Sequence, residues 1–140
     1  MARPRNSQPT DGELEILKHL WNAGPCALGH ICSLLRQERS VATTTVATML
    51  TVMLAKGLVT RSRGSRGYLW SAKSGRAATT GKLVDRFVER AFDGSVHLLV
   101  AHLVESKKLT TKERRQVLEL LEKGAAATRK PGSALADPQR

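Results

Sequence analysis

Short polar side chains recur at helical spacing in the middle of the chain, on the face of a predicted helix that lies opposite its apolar stripe. This face carries Thr44, Thr48, Thr51, Val52 and Ala55, with Thr45 at its edge. A helix that enters the major groove of duplex DNA needs polar groups without bulk, and threonine offers base edges both a hydroxyl and a methyl group. The alternative is an ordinary solvated helix face. We favour base contacts, because threonine is a poor helix former that would seldom occupy an exposed helix face without a further role.

A short basic stretch follows this helix and alternates in the manner of a β-strand. Arg61 and Arg63 would share one side of that strand, and Arg66 falls in the glycine-rich turn that follows. Arginines in such a hairpin commonly contact phosphate groups or enter the minor groove. We therefore expect phosphate contacts from at least two of the three.

The chain is strongly basic, with a net charge of +11. This charge favours a polyanionic partner through long-range attraction and counterion release, but alone it does not separate DNA from RNA or an anionic lipid surface. Its distribution is more informative, because residues 39–76 include basic side chains and no acidic ones. The basic residues there are Arg39, Lys56, Arg61, Arg63, Arg66, Lys73 and Arg76. The sequence thus predicts a localised basic surface.

Hydrophobic periodicity predicts three helices and a hairpin around these residues. The first helix begins with a capping box formed by Thr10 and Glu13, and the third ends at a glycine that can act as a C-cap. In chain order the elements are a helix at 11–23, a helix around 28–35, a helix from near Ser40 or Thr43 to Lys56-Gly57, and strands 58–63 and 68–71 about a turn at 64–67. This is the order of a winged helix-turn-helix.

The second half of the chain is predicted to be helical and apolar. One helix runs from about Thr80 to Phe92, and two more follow it. Helices this apolar bury poorly within one small monomer, so we expect a two-fold homodimer. The predicted fold class is therefore mainly α with a small β-hairpin, a winged helix-turn-helix followed by a helical dimerisation domain. The expected parts are a flexible basic arm at 1–9, the winged-helix domain at 10–75, the dimerisation domain at 76–123 and a disordered tail at 124–140.

No catalytic or cofactor site is predicted. A chain of 140 residues has room for one domain or two very small ones, which argues against a multidomain enzyme. His19, His97 and His102 are isolated, with no carboxylate pair, nucleophile motif or glycine-rich phosphate loop beside them. The chain lacks both a membrane-length apolar window and the apolar core of a signal peptide, so we expect a cytoplasmic location and no membrane partner.

The two cysteines are predicted to be reduced, buried thiols. Cys26 and Cys32 have no partners at the spacing of a zinc finger. The alternative is a metal or redox sensor, because His30 lies between them in sequence. We favour the thiols and predict no bound metal.

Four aromatic residues fall at apolar-periodic or strand positions, which predicts core packing. They are Trp21, Tyr68, Trp70 and Phe87. If exposed, they would offer stacking platforms for single-stranded nucleic acid. The alternative to a DNA-binding function is a winged-helix module that binds another protein or RNA, and an RNA-binding module should show more exposed aromatic residues around its basic surface.

The order and spacing of several short motifs resemble the BlaI/MecI/CopY family of repressors, which regulate penicillinase, methicillin-resistance and copper-transport genes. The resemblance extends roughly from Asp11 to Glu122. It rests on Gly12-Glu13-Leu14-Glu15 leading to Leu20-Trp21, on Thr44-Thr45-Val46-Ala47-Thr48, on Lys56-Gly57-Leu58-Val59, on Arg66-Gly67-Tyr68 and on Asp93-Gly94-Ser95.

This resemblance implies a sequence-specific transcriptional repressor that binds double-stranded DNA as a dimer. It implies a winged-helix N-terminal domain, a helical dimerisation domain and a pseudo-palindromic operator with half-sites like TACA and TGTA. Thr44, Thr45 and Thr48 are carried over as contacts of the recognition helix. Arg66 and Tyr68 are carried over as wing positions.

Three departures limit what the resemblance implies. Thr51-Val52 stands where the family often has an acidic residue followed by arginine. The bond cut by a sensor-linked protease in antibiotic-responsive members is Asn-Phe, and the matching pair here is Ala101-His102, which leaves such a protease only weakly supported as a partner. The C-terminal cysteine cluster of copper-responsive members is missing from this sequence.

Overall fold

The computed structural model describes residues 8–128, which form six helices and one two-stranded antiparallel sheet. The elements are α1 (Asp11–Ala23), α2 (Leu28–Arg36), α3 (Thr43–Lys56), β1 (Val59–Gly64), β2 (Gly67–Ala72), α4 (Arg76–Phe92), α5 (Val96–Glu105) and α6 (Thr111–Thr128). This element order confirms the predicted winged helix-turn-helix followed by helices. Two compact units are present, one that ends at Arg86 and one that begins at Phe87. Most of the predicted arm and tail, residues 1–7 and 129–140, lies outside the described residues.

Helix α1 begins and ends where the sequence predicts. The Thr10 hydroxyl oxygen accepts the backbone N–H of Glu13, and the Glu13 carboxylate accepts the backbone N–H of Thr10, so the capping box is complete. At the other end the N–H of Gly24 donates to the carbonyl oxygen of Leu20. These bonds satisfy backbone groups that a helix end otherwise leaves without partners.

The core of the first unit is built from one face of each of its first three helices. The buried residues are Ile16, Leu17 and Leu20 from α1, Ile31, Cys32 and Leu35 from α2, and Val46, Leu50 and Met53 from α3. The intervals within these sets are one, three or four residues, which places the apolar side chains on one side of each helix. Burial of the α3 set therefore determines which side of α3 faces solvent.

The hairpin is anchored to this core at its base. Val59 and Trp70 are buried in the same cluster as the helices. Cys26, in the segment between α1 and α2, exchanges two backbone hydrogen bonds with Trp70, at 2.8 and 2.9 Å. The base of β2 is thus paired on both sides, by β1 and by Cys26, while the turn at Ser65-Arg66 projects away from the paired base.

Two helix boundaries differ from the sequence prediction. Helix α4 begins at Arg76 rather than near Thr80, because Ala77 and Ala78 are strong helix formers that extend it towards the hairpin. Helix α6 continues through residues 124–128, which were predicted to belong to the disordered tail. This extension contains three consecutive alanines, whose helix propensity outweighs the preceding glycine.

The second unit contains the end of α4 together with α5 and α6. Asp93 and Gly94 have positive φ angles of 54° and 81°, which end α4 as predicted. Thr110 and Glu113 form the predicted capping box at the start of α6. No side chain of α5, and none of α6 up to residue 124, is buried. Among residues 8–128, no helix is both long and apolar enough to cross a membrane.

Candidate nucleic-acid interface

Helix α3 has one buried face and one exposed face. Val46, Leu50 and Met53 have no solvent-accessible surface. The predicted polar face is exposed along its full length, and its residues are Thr44, Thr45, Thr48, Thr51, Val52 and Ala55. The structure therefore brings all four candidate threonines onto one exposed surface of a helix that the core holds from behind.

The N-terminal end of α3 is held by a residue that sequence reasoning missed. Arg36, the last residue of α2, donates from Nε to the carbonyl oxygen of Val41 at 3.0 Å and from Nη2 to Oγ1 of Thr43 at 2.7 Å. These two bonds span the turn between α2 and α3. No periodicity or motif marks Arg36 for this role, because its partners become neighbours only when the turn forms.

The N-cap residue of α3 is Ala42, which offers no side-chain hydrogen bond to the first turn. Ala42, Thr43 and Thr44 are exposed. Backbone N–H groups at such a helix end, together with the helix dipole, favour a negatively charged partner such as a phosphate. The polar face thus begins next to a helix end that is compatible with a DNA backbone.

The C-terminal end of α3 is held by a largely buried ion pair. The Lys56 Nζ lies 2.7 Å from Oε1 of Glu13 and 3.3 Å from the carbonyl oxygen of Gln8. The two side chains are only 15% and 7% exposed. Sequence reasoning found Glu13 as a capping residue but missed this second contact. Lys56 is therefore a structural residue of the first unit, although it belongs to the predicted basic surface.

A second member of the predicted basic surface also has an acidic partner. Arg39 donates from Nη2 to Oε1 of Glu15 at 2.8 Å. This hydrogen bond is the largest effect that lowers the pKa of the Glu15 carboxyl group. Since Glu13 and Glu15 lie outside the acid-free segment, counting charges within residues 39–76 overestimated the free positive charge.

The hairpin places its arginines on one face, as predicted. In the antiparallel register Arg61 lies opposite Trp70 and Arg63 lies opposite Tyr68, so all four side chains share a side of the sheet. The Arg61 guanidinium carbon lies 4.0 Å from the centre of the Tyr68 ring and 5.5 Å from that of Trp70. The Arg63 guanidinium carbon lies 5.7 Å from the centre of the Tyr68 ring. Arg66 is exposed in the turn.

The prediction of core packing for the aromatic residues is right for Trp70 and wrong for two others. Trp70 is 7% exposed, whereas Tyr68 and Phe87 are 38% and 54% exposed. Tyr68 lies further along the hairpin than Trp70, beyond the part that packs on the core. Phe87 makes an edge contact with Phe92 within its own unit, with ring centres 5.7 Å apart. Trp21 is half-buried and its indole N–H donates to a backbone carbonyl oxygen.

The cysteines are buried free thiols, as predicted. Cys26 and Cys32 are 2% and 1% exposed, and burial raises the pKa of the Cys26 thiol. A raised pKa disfavours the thiolate that metal binding and oxidation require. His30 is exposed, and no group of three or more metal-ligating side chains occurs in the described part of the chain.

Solved structures with similar folds include three at low sequence identity. The solution structure of monomeric BlaI from Bacillus licheniformis, in complex with the blaP half-operator, is 21% identical and covers 50% of this chain and 85% of that one, with a TM-score of 0.45. A transcriptional regulator from Thermotoga maritima is 20% identical, and the match covers 86% of this chain and 76% of that regulator, with a TM-score of 0.49. Wild-type apo MarR from E. coli is 20% identical, and the match covers 82% of this chain and 76% of MarR, also with a TM-score of 0.49. These scores support no conclusion about function.

The family comparison gives a definite result. No curated protein matches the chain significantly. The sequence model of the penicillinase repressors, in contrast, matches residues 9–123, which include all six helices in whole or in part and the hairpin. The match confirms the resemblance that the threonine, Lys-Gly and Arg-Gly-Tyr motifs indicated. This chain therefore belongs to the penicillinase repressor family, a family of DNA-binding transcriptional regulators.

Proposed function

We propose that this chain is a dimeric repressor that binds a pseudo-palindromic operator, with α3 in the major groove and the β1–β2 hairpin as the wing. The proposed base contacts are Thr44, Thr45, Thr48 and Thr51, and the proposed wing residues are Arg61, Arg63, Arg66 and Tyr68. The observation that carries the proposal is the exposed threonine face of α3, held in place by a fully buried opposite face.

Side-chain size supports major-groove binding by α3. Its exposed face contains no side chain longer than valine or threonine, so the helix backbone can approach base edges closely. The core stripe fixes the rotation of the helix about its own axis. Arg36 and Lys56 restrain its two ends. A helix restrained in this way loses little conformational entropy when it binds, which favours specific contacts.

The charge of the hairpin supports phosphate binding. Within residues 8–128, none of Arg61, Arg63 and Arg66 forms an ion pair with an acidic side chain, whereas Arg39 and Lys56 do. Three exposed guanidinium groups on one short hairpin suit contacts with the DNA backbone or the minor groove. Neutralising phosphates releases counterions, so we expect affinity to fall steeply as salt is added.

Exposed apolar side chains support association of two copies through the second unit. Several Val and Leu side chains of α5 and α6 are between 39% and 66% exposed, namely Val96, Leu98, Val100, Val104, Leu118, Leu120 and Leu121. Monomeric proteins rarely leave so many large apolar side chains exposed to water on two short helices. A second copy is the occupant we propose, because two half-sites are needed when each short helix face supplies only a few base contacts of about 1–3 kcal/mol each.

Proteolytic release of the repressor would have to act on a helical bond. Ala101 and His102, the pair that corresponds to the cleavage position, lie inside α5 (Val96–Glu105). The centre of the His102 ring lies 5.9 Å from the centre of the Phe92 ring. Cleavage there needs local unwinding of α5. A sensor-linked protease is accordingly not a part of the proposed mechanism.

DNA binding is tested with the purified full-length protein and two duplexes of equal length, one from the region upstream of its own gene and one unrelated. We expect a preference for the upstream duplex that persists as salt is raised. The double variant T44A/T48A should lose this preference and keep nonspecific duplex binding. T80A, which changes an exposed threonine of α4, is the matched control and should behave as the unaltered protein does.

Two results would contradict this function. One is equal binding of all duplexes even after selection from a random-sequence library. The other is tighter binding of single- or double-stranded RNA than of any DNA duplex, which would favour the RNA-binding alternative. The stacked position of Arg61 over Tyr68 argues against that alternative, because the one exposed aromatic ring of the hairpin already has a cation on it.

The dimer is tested separately by light scattering during size-exclusion chromatography. L118Q/L121Q replaces two exposed leucines of α6, and we expect it to be monomeric and to bind operator DNA weakly. E119Q/E122Q alters two exposed polar positions of the same helix and should remain dimeric. A dimeric L118Q/L121Q variant with unchanged operator affinity would refute the role of α6 in association.

A further inference from the structure

Helix α3 has no free side chain of the kind that reads a purine with a pair of hydrogen bonds. Guanine is read in this way by arginine or lysine, and adenine by asparagine or glutamine. The sequence of α3 contains no arginine, asparagine or glutamine. Its single lysine, Lys56, is bound to Glu13 and to the backbone of Gln8. Base recognition by α3 must therefore use the small groups on its exposed face.

Most of these small groups are methyl groups. The Thr51 hydroxyl donates its proton to the carbonyl oxygen of Ala47 at 3.0 Å, so Thr51 has no proton left to donate to a base and offers its methyl group and an accepting oxygen. Val52 is 43% exposed, although the core stripe of α3 already buries three apolar side chains. Thr48, Val52 and Ala55 are spaced four and three residues apart, which places them in one row along the helix. This row presents an apolar strip within a polar face.

We infer that Val52 is a specificity-determining residue, and that it recognises the C5-methyl group of thymine in the major groove. Thr48 and Ala55 complete the apolar surface against which that methyl group packs. Thymine is the base that presents a methyl group in the major groove, so an apolar strip on a groove-binding helix selects it. This inference rests on the proposed function, and it adds the chemistry by which the site distinguishes one duplex from another.

The size of the effect follows from burying one methyl group. Such a group contributes about 0.8 kcal/mol when removed from water, which corresponds to about a fourfold change in the dissociation constant. Replacing thymine by uracil removes this methyl group and leaves every hydrogen-bonding group of the base pair unchanged. The replacement therefore separates methyl recognition from hydrogen bonding.

The experiment uses the full-length protein and the tightest-binding duplex selected from a random-sequence library. Each thymine is replaced in turn by uracil, and binding is measured for the unaltered protein and for V52A. We expect about a fourfold loss at one or more thymines of each half-site for the unaltered protein. V52A should bind the thymine duplex more weakly and show no further loss at those same positions. V52T, which retains one of the two methyl groups, should fall between the two.

The possible outcomes separate this inference from the proposed function. If no duplex is preferred over an unrelated one, both fail. If a duplex is preferred but no uracil replacement weakens binding, methyl recognition is refuted while sequence-specific binding stands. If V52A loses as much on uracil replacement as the unaltered protein does, another residue recognises the methyl group and the role of Val52 is refuted. Replacing thymines outside the two half-sites by uracil is the matched DNA control and should not change the affinity.

Discussion

The ion pair between Lys56 and Glu13 offers the sharpest test of how α3 is held in place. We consider K56M, which keeps much of the side-chain length and removes the charge. An exposed ion pair contributes about 0–1 kcal/mol, and removing one partner of a fully buried pair costs about 3–5 kcal/mol. At 15% and 7% exposure this pair lies closer to the buried limit. Glu13 keeps the N–H of Thr10 as a hydrogen-bond donor, which reduces the loss.

We therefore expect K56M to lower the free energy of unfolding by about 2 kcal/mol. For a unit of this size that corresponds to a fall in Tm of about 8–16 °C. The assay is thermal unfolding followed by circular dichroism, with E13Q and the double variant E13Q/K56M measured beside it. E13Q keeps an oxygen that can accept the N–H of Thr10, so the capping box can persist.

The double variant distinguishes the ion pair from general loss of packing. If the pair is the source of stability, E13Q/K56M should be more stable than the sum of the two single losses predicts, because neither partner is left as an unpaired buried charge. Strict additivity, or a K56M effect below about 0.5 kcal/mol, would refute the reasoning. Nonspecific DNA binding by folded K56M should remain close to that of the unaltered protein, since Lys56 faces Glu13 rather than solvent.

Three further predictions follow from single contacts. Because the Tyr68 ring positions Arg61, Y68A should weaken operator binding about two- to fivefold in a binding titration, and Y68F should leave it unchanged. Equal losses of affinity for Y68A and Y68F would instead indicate that the Tyr68 hydroxyl contacts DNA. R36A should reduce the ratio of specific to nonspecific binding with a loss of about 1 kcal/mol in unfolding free energy, and an unchanged ratio would contradict its role at α3. R39A should cost at most about 1 kcal/mol at neutral pH. Because Arg39 lowers the pKa of Glu15, the stability contributed by this ion pair is fully present above the ordinary pKa of 4.5 and is lost as the pH falls through the lowered pKa. The unfolding free energies of R39A and the unaltered protein should therefore converge in acid. A difference that stays constant with pH would exclude the ion pair as the source of the lost stability.

Local signals in the sequence predicted the helices of the first unit well. The capping box at Thr10 and Glu13, the glycine at position 57 and the three- or four-residue spacing of apolar side chains all act over a few residues. Gly57 has a φ of 81°, which a glycine adopts without strain. These signals require no knowledge of the tertiary structure, so both ends of α1 and the C-terminal end of α3 could be predicted directly.

Contacts between distant residues were not predictable in this way. Glu13 and Lys56 are 43 residues apart, and nothing in either local sequence indicates that they meet. The exposure of Tyr68 was also missed, because strand periodicity assigns it the same side as Trp70 but does not show how far the core extends along the hairpin. Periodicity gives the direction of a side chain, and tertiary packing decides whether anything covers it.

The arrangement of α3 separates the residues that we propose to specify a DNA site from those that stabilise the fold. Val52 and Thr51 are exposed, and the Thr51 hydroxyl donates to the backbone of its own helix. Substitutions at such positions are expected to change unfolding free energy by no more than about 0.5 kcal/mol. Val46 and Leu50, on the opposite face of the same helix, are fully buried and tolerate little change in volume. Under the proposed function, the departure from the family at Thr51-Val52 would change base recognition and leave the core undisturbed, so a chain with the same fold would acquire a different operator by substitution on this face.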